Sequence, residues 1–124
     1  MTPTLSITLS ATVLGAPDAQ ALADFYRHLL GWEQIRSDPG WVQLRCPAGG
    51  AGLSFQEEKD YRAPVWPERP GEQQMLVHLD IRVDDLDAAA AHAIALGSTP
   101  ADYQPQDHVR VHLDPAGHPF CLFV

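Results

Sequence analysis

Basic side chains are scarce in this chain: Lys59 and seven scattered arginines face sixteen carboxylates, for a formal charge of −8. Neutralising phosphates takes clustered Lys and Arg, so no nucleic-acid partner is expected. Apolar runs are short as well. None approaches the ~20 residues that span a bilayer, and no membrane association is expected. The stretch from Met1 to Leu14 has no basic leader and mixes Thr and Ser with apolar residues, the pattern of a strand and not of a secretory signal. Cysteine occurs only at Cys46 and Cys121, far apart in sequence. Without an export signal, free thiols in a reducing cytoplasm are the expected state. The remainder is an ordinary globular balance, 45% hydrophobic and 19% charged. A chain of this size buries roughly two-thirds of its unfolded surface and makes a single domain without disulfide or metal.

Local patterns then order the chain. Leu5 to Leu14 alternates and is rich in Thr, Ile and Val, which predicts a strand. Asp18 is placed to cap a helix in which Ala21, Leu22, Phe25, Leu29 and Leu30 recur at helical spacing, and Gly31 ends it. Strands are expected at Trp32 to Ile35, Trp41 to Cys46 and Leu53 to Gln56. Residues 57 to 74 differ: Pro64, Pro67, Pro70 and Gly71 exclude regular structure, while Tyr61 and Trp66 supply large apolar anchors. A solvated linker has little use for Trp, so this segment is expected to fold back onto the body. Met75 to Val83 alternates, Asp85 caps an Ala-rich helix from Leu86 to Leu96, and Gly97 ends it. Val109 to Leu113 and Phe120 to Val124 are the last two strand candidates, joined by the turn Asp114-Pro115-Ala116-Gly117.

Strand, helix, glycine and further strands thus occur twice, with the first helix one residue longer. A tandem duplication is the simplest account. The expected repeats are 4–57 and 75–124, with a Pro-rich connector at 58–74. Each sheet must hide one face against its own helix, and the other face is free to curve around a cavity.

Alternation sorts the side chains between those faces. Leu79, Ile81 and Val83 oppose His78, Asp80 and Arg82; Val42 and Leu44 oppose Trp41, Gln43 and Arg45. Leu53 and Phe55 oppose Ser54 and Gln56; Val111 and Leu113 oppose Arg110 and His112; Phe120, Leu122 and Val124 oppose Cys121 and Phe123. The polar rows either meet water or converge on a cleft. Trp41 and Phe123 among them favour the cleft, because small-ligand sites combine aromatic walls with a few polar groups.

Three stretches together resemble the vicinal oxygen chelate superfamily, which includes glyoxalase I, extradiol dioxygenases and bleomycin-resistance proteins. They are Val13-Leu14-Gly15-Ala16-Pro17-Asp18 leading into Phe25-Tyr26-Arg27-His28-Leu29-Leu30-Gly31-Trp32, then His78-Leu79-Asp80-Ile81-Arg82-Val83-Asp84-Asp85-Leu86-Asp87-Ala88-Ala89, and finally Asp114-Pro115-Ala116-Gly117-His118-Pro119-Phe120. The glyoxalase-like branch is the nearest match. The resemblance implies an α+β fold of tandem βαβββ modules, a curved mixed sheet around a cleft, helices on the convex side, and a homodimer.

Catalytic members of that superfamily hold a divalent metal between the modules. By position the ligand sites fall on Ala11 (Thr12 if the register slips by one), Gln56, His78 and Cys121. Ala11 has no ligating atom, Gln56 offers a neutral carbonyl, and Cys121 puts a thiol where a carboxylate is usual. An octahedral Ni, Fe or Mn ion prefers imidazoles and carboxylates, whereas Zn accepts His with Cys but normally takes three strong protein ligands. Asp80 could supply a carboxylate, orient the His78 imidazole or pair with Arg82. The expected cofactor is therefore none, or a divalent metal such as Zn, Ni, Fe or Mn on His78, Gln56 and Cys121.

The leading expectation is a small-molecule-binding protein without the usual metal, enclosing a small organic ligand, aromatic ones included. Trp41, Trp66, Phe123 and Tyr61 would stack on the ligand, with Gln43, Arg45, Gln56, His78, Arg82, His112 and Cys121 around it. The alternative is a lyase, isomerase or dioxygenase, metal-dependent or using His78 as general base oriented by Asp80. Whether the chain is an enzyme stays open at this stage, since one scaffold serves unrelated chemistries.

Overall fold

The computed structural model describes residues 5–124, so residue 4, the start of the expected first repeat, lies outside the described residues. Ten elements follow in order: β1 (Ala11–Ala16), α1 (Ala19–Leu30), β2 (Glu33–Asp38), β3 (Trp41–Arg45), β4 (Gly52–Glu57), β5 (Leu79–Arg82), α2 (Leu86–Leu96), β6 (Thr99–Pro100), β7 (Val109–Leu113) and β8 (Pro119–Phe123). They form two four-stranded sheets of the same plan, β1-β4-β3-β2 and β5-β8-β7-β6. In each, the strand before the helix pairs in parallel with the last strand and the remaining pairs are antiparallel. The α+β class and the doubled βαβββ order stand as expected. We call β1–β4 with α1 the first module and β5–β8 with α2 the second.

Both helices are closed by the chemistry their sequences announce. Asp18 and Asp85 sit in extended conformation, and their carboxylates accept from Ala21 N and Ala88 N, each at 3.0 Å. Gly31 and Gly97 end the helices at φ 72° and 119°, where a side chain would be strained.

Helix α1 supplies the centre of the molecule. It buries Ala19, Leu22, Ala23, Phe25 and Tyr26, whereas α2 buries only Ala93. Tyr26 stacks on Phe55 of β4 at 5.8 Å, and Phe25 meets Phe120 of β8 at 5.8 Å, so one helix packs against both sheets. Tyr26 Oη donates to the buried Asp114 carboxylate at 2.7 Å, which joins the modules through a polar contact as well. Backbone N–H groups of Ala116 and His118 satisfy the other oxygen of Asp114.

The strands differ from expectation at their open ends. Regular pairing of β1 begins at Ala11, not Leu5, and β5 begins at Leu79, not Met75. Both are edge strands, so the residues before them have alternation but no partner ladder. Leu5, Ile7, Leu9, Leu76 and Val77 are exposed there. The short strand β6 has no counterpart in the sequence reading, because two residues are too few to show a period.

Candidate functional site

Cross-strand register assigns the candidates that lie within strands to a face. In the first module, Trp41 pairs with Gln56 and Gln43 with Ser54, while Val42 pairs with Phe55 of the core. Trp41, Gln43, Arg45 and Gln56 therefore share the face turned away from α1. Two are already engaged: Arg45 Nη2 donates to Glu33 at 2.7 Å, and Gln56 Nε2 donates to Glu58 at 2.6 Å. A cavity of about 110 Å³ on this face includes Ala11, Gln43, Arg45 and Ser54.

The second module brings together the residues with more reactive side chains. Asp80 pairs with Cys121 across β5–β8, and Arg82 pairs with Phe123. His78 lies two residues before Asp80, on the same side. His78 Nε2 stands 3.2 Å from Asp80 Oδ1, and ligating atoms of His78, Asp80 and Cys121 all fall within 4.8 Å of one another. Burial, then the charge of Asp80 and a hydrogen bond to it, push the Cys121 thiol above its ordinary pKa. The sulfur is thus a protonated donor to Asp80 at neutral pH and not a thiolate nucleophile.

A cavity of about 180 Å³ opens beside this group. His78 and Cys121 form its polar end, with Trp66, Met75, Val109 and Val111 among its apolar walls. Trp66 stacks on Tyr103 at 5.8 Å and 28°, which fixes the indole at the rim. The connector folds back as expected, and it does so at two points. Tyr61 Oη donates to Ala116 O at 2.8 Å and lies 3.1 Å from His118 Nε2, which contacts Gly15 O at 2.6 Å. Burial, followed by the charge of Asp114, holds the Tyr61 phenol up at about 12. Tyr61 is therefore a clasp between β1 and the 114–118 turn, and is not on the cavity that holds His78.

His112 is a correction. Its partner across β7–β8 is Phe120, on which it stacks at 5.6 Å; its Nδ1 is 3.0 Å from Ser98 Oγ, and it is 1% exposed. The β7 faces are the reverse of those expected: Val109 and Val111 line the cavity, and His112 belongs to the helix-side core. Arg110 and His112 read as polar, but the buried Ser98 hydroxyl satisfies the imidazole and lets it pack like an aromatic. Burial, with a smaller contribution from Arg110, lowers its pKa and keeps it neutral.

The first-module and second-module sets are not joined in this cavity, whose lining contains no residue of β1 to β4. Larger hollows of about 350 and 330 Å³ lie elsewhere, at the start of α1 and between β1 and the connector. Neither includes His78 or Cys121. Met75, Val109 and Val111 were not foreseen as lining residues: Val111 was placed in the helix-side row, and Met75 and Val109 were given no face. Tyr103, the stacking partner of Trp66, sits in a polar loop with no period.

Comparison with known proteins follows from this geometry. A family model described as a glyoxalase-like domain matches residues 11–123, nearly the whole chain. The chain belongs to the glyoxalase-like family. Solved structures agree on the fold. A glyoxalase/bleomycin resistance protein/dioxygenase family enzyme from Burkholderia phytofirmans is 22% identical, with 94% of this chain and 97% of that one covered and a TM-score of 0.69. A glyoxalase-related enzyme from Fulvimarina pelagi is 17% identical, with coverage of 94% and 86% and a TM-score of 0.68. Lactoylglutathione lyase from Agrobacterium tumefaciens is 24% identical, with coverage of 98% and 95% and a TM-score of 0.61. A search of curated proteins finds no match. The glyoxalase-like assignment places the chain in the vicinal oxygen chelate superfamily, and identities this low carry the fold alone.

That superfamily implies a divalent metal at the positions of Ala11, Gln56, His78 and Cys121, and the donor set does not fit the hard octahedral ion. Ala11 has no donor atom, and the Gln56 amide is held by Glu58. Only His78 is of the expected kind.

Proposed function

We propose that this glyoxalase-like chain binds a small organic molecule on the open face of its second module. The observation that carries the reading is the cavity in which an apolar wall of Trp66, Met75, Val109 and Val111 meets His78 and Cys121. Such a wall gives affinity, and a few convergent polar groups give orientation. The hollow of about 180 Å³ suits part of a ligand, such as a planar ring laid against the Trp66 indole, with the remainder in the open. Arg82 and Phe123, one register step along the same face, extend the surface. Trp41, Gln43, Arg45 and Gln56 serve the equivalent face of the first module.

A second reading rests on the His78–Asp80 pair. An imidazole oriented by a carboxylate at 3.2 Å is the usual arrangement of a general base, which supports a lyase, isomerase or dioxygenase activity on the same ligand.

Two further features belong with this proposal. The exposed apolar residues Leu5, Ile7, Leu9, Leu76 and Val77 precede the edge strands β1 and β5, and a homodimer would cover them. Cys46 and Cys121 are both free, which suits the reducing cytoplasm. No described helix is long and apolar enough to cross a membrane.

Fluorescence decides the binding reading. A Trp32→Phe/Trp41→Phe variant leaves Trp66 as the sole tryptophan. Saturable quenching by members of a panel of aromatic and carbonyl metabolites is expected. A Trp66 signal unmoved by the whole panel rejects the site. Light scattering coupled to size exclusion reads the oligomeric state, with twice the 13.6 kDa chain mass expected.

A further inference from the structure

Where the connector folds back beside β1 it builds a second hollow, of about 330 Å³, which shares no lining residue with the cavity around Trp66. Sites for small molecules begin at about 300 Å³, so a whole small ligand has room here. The walls are held from several sides. Val65 N donates to Gln73 O at 2.8 Å and closes the connector on itself, and Glu58 N donates to Ala16 O at 2.9 Å. Tyr61 is pinned through Ala116 O, and His118 through Gly15 O. Two of these approaches are close enough to require glycine. A Cβ at Gly15 would stand 3.0 Å from Glu58 Cγ, and one at Gly117 would stand 2.8 Å from Ala63 Cβ. A pocket with walls already fixed loses little freedom when a ligand enters.

Charge gives the chemistry of the occupant. The chain carries sixteen carboxylates, yet none lines this hollow, whereas Asp18, Asp38 and Glu57 all line the one at the start of α1. Glu58, beside Gly15, is outside the lining and accepts from Gln56. The permanent positive charge in the lining is Arg62, which makes no ion pair among the described residues. A free guanidinium presents a planar fork that matches a carboxylate in two parallel hydrogen bonds. Val13, Pro64 and Leu76 supply apolar surface around it. We propose that this hollow binds a small organic acid, with its carboxylate on Arg62 and its aliphatic body against Val13 and Pro64.

This site is additional to the ligand site on the second module, and neither needs the other. The hollow contains no tryptophan, so a Trp66 signal unmoved by aromatic ligands leaves the acid site standing, and the reverse holds too.

The test titrates 4-methylpentanoate into the full chain, in the assembly it adopts, and follows amide nitrogen–proton NMR spectra. Saturable shifts with Kd below about 1 mM are expected, strongest at residues 13–15 and 61–63. The neutral 4-methylpentanamide should bind roughly tenfold more weakly or worse, because it lacks the charge that Arg62 recognises. Arg62→Gln should weaken the acid by a similar factor, and Arg62→Lys should recover part of the loss. Arg62 is exposed, and the spectra themselves report that each variant is folded. Val13→Glu puts a carboxylate into a lining that has none and should also cost roughly tenfold. Arg69→Gln, at an exposed arginine of the same connector outside the lining, should change nothing. The proposal is overturned by an absence of saturable shifts, or by shifts centred on residues 109–111 and 121. An amide that binds as tightly as the acid, or an Arg69→Gln loss equal to that of Arg62→Gln, overturns it as well.

Discussion

The two modules share an element order and a strand order, yet they divide the work unequally. In the first, α1 buries five residues and its aromatic pair reaches both sheets, while the open face carries an indole, two amides and an arginine already held by Glu33. In the second, α2 buries a single alanine, while the open face carries an imidazole, a carboxylate and a thiol in mutual reach. A doubled module therefore need not be doubled in function. Where one copy supplies most of the core, the other is free to spend its exposed face on polar groups that contribute little to stability.

The largest effect that should separate core from face lies within one strand. Phe120 and Phe123 are three residues apart on β8 and face opposite ways. Phe120 is fully buried between Phe25, Tyr26 and His112, so Phe120→Ala should cost about 3–5 kcal/mol in urea unfolding. Phe123→Ala should cost less than about 1 kcal/mol, the usual range for a partly exposed site. Equal costs would mean that the open face is itself structural and would weaken the division of labour between the faces.

Next comes the contact that crosses the modules. Tyr26→Phe removes the donor to a buried carboxylate and should destabilise by about 1–3 kcal/mol. Burial outweighs its hydrogen bonds and raises the Asp114 pKa, so part of that loss can be relieved by protonating the carboxylate. The penalty of Tyr26→Phe should accordingly shrink when melts are repeated near pH 4. A penalty independent of pH would assign the loss to packing alone.

How much of this could be read in the sequence follows from the same division. Capping aspartates, terminating glycines and helical spacing are local signals, and both helices appear where those signals put them. The open-face row His78–Asp80 and its neighbour Cys121 also follow from alternation, because β5 and β8 alternate cleanly. Strand β7 misled, since a polar letter at His112 was taken for a cleft-facing residue when Ser98, fourteen positions earlier, satisfies its ring inside the core. Pairing partners decide such cases, and they are not local. The beginnings of β1 and β5 failed for the same reason: Leu5 to Ser10 alternates like a strand, but ladder pairing starts only at Ala11, with Ser10 O accepting from Gly52 N just before it. Trp66 was legible as an anchor, while its stacking partner Tyr103 was not.

Equal caps on unequal helices give a finer comparison. Asp18→Ala and Asp85→Ala each remove one N-cap hydrogen bond and should cost about 1 kcal/mol, but the cost should be felt differently. Helix α1 is locked between the sheets, so loss of its cap should lower global stability. Helix α2 buries only Ala93, so loss of Asp85 should mainly speed local opening. Amide hydrogen exchange reads the difference: α2 should exchange faster than α1 in the wild type, and Asp85→Ala should widen the gap. Matching exchange in the two helices would contradict the asymmetry.

The smallest expected effect is a pH response confined to the second module. His112 has a folded pKa below its ordinary value of 6.5, because burial and then Arg110 disfavour the imidazolium. Between the folded pKa and 6.5 the unfolded chain binds more protons than the folded one, so unfolding gains from acid. The contribution of neutral His112 is therefore intact above about pH 6.5 and is lost as pH falls through the window beneath it. Unfolding free energies from pH 7.5 down to 5 should fall less steeply in His112→Gln than in wild type, because glutamine has no proton to take up. If His112→Gln kept the wild-type slope, the imidazole would have to lie outside the core to which it is assigned.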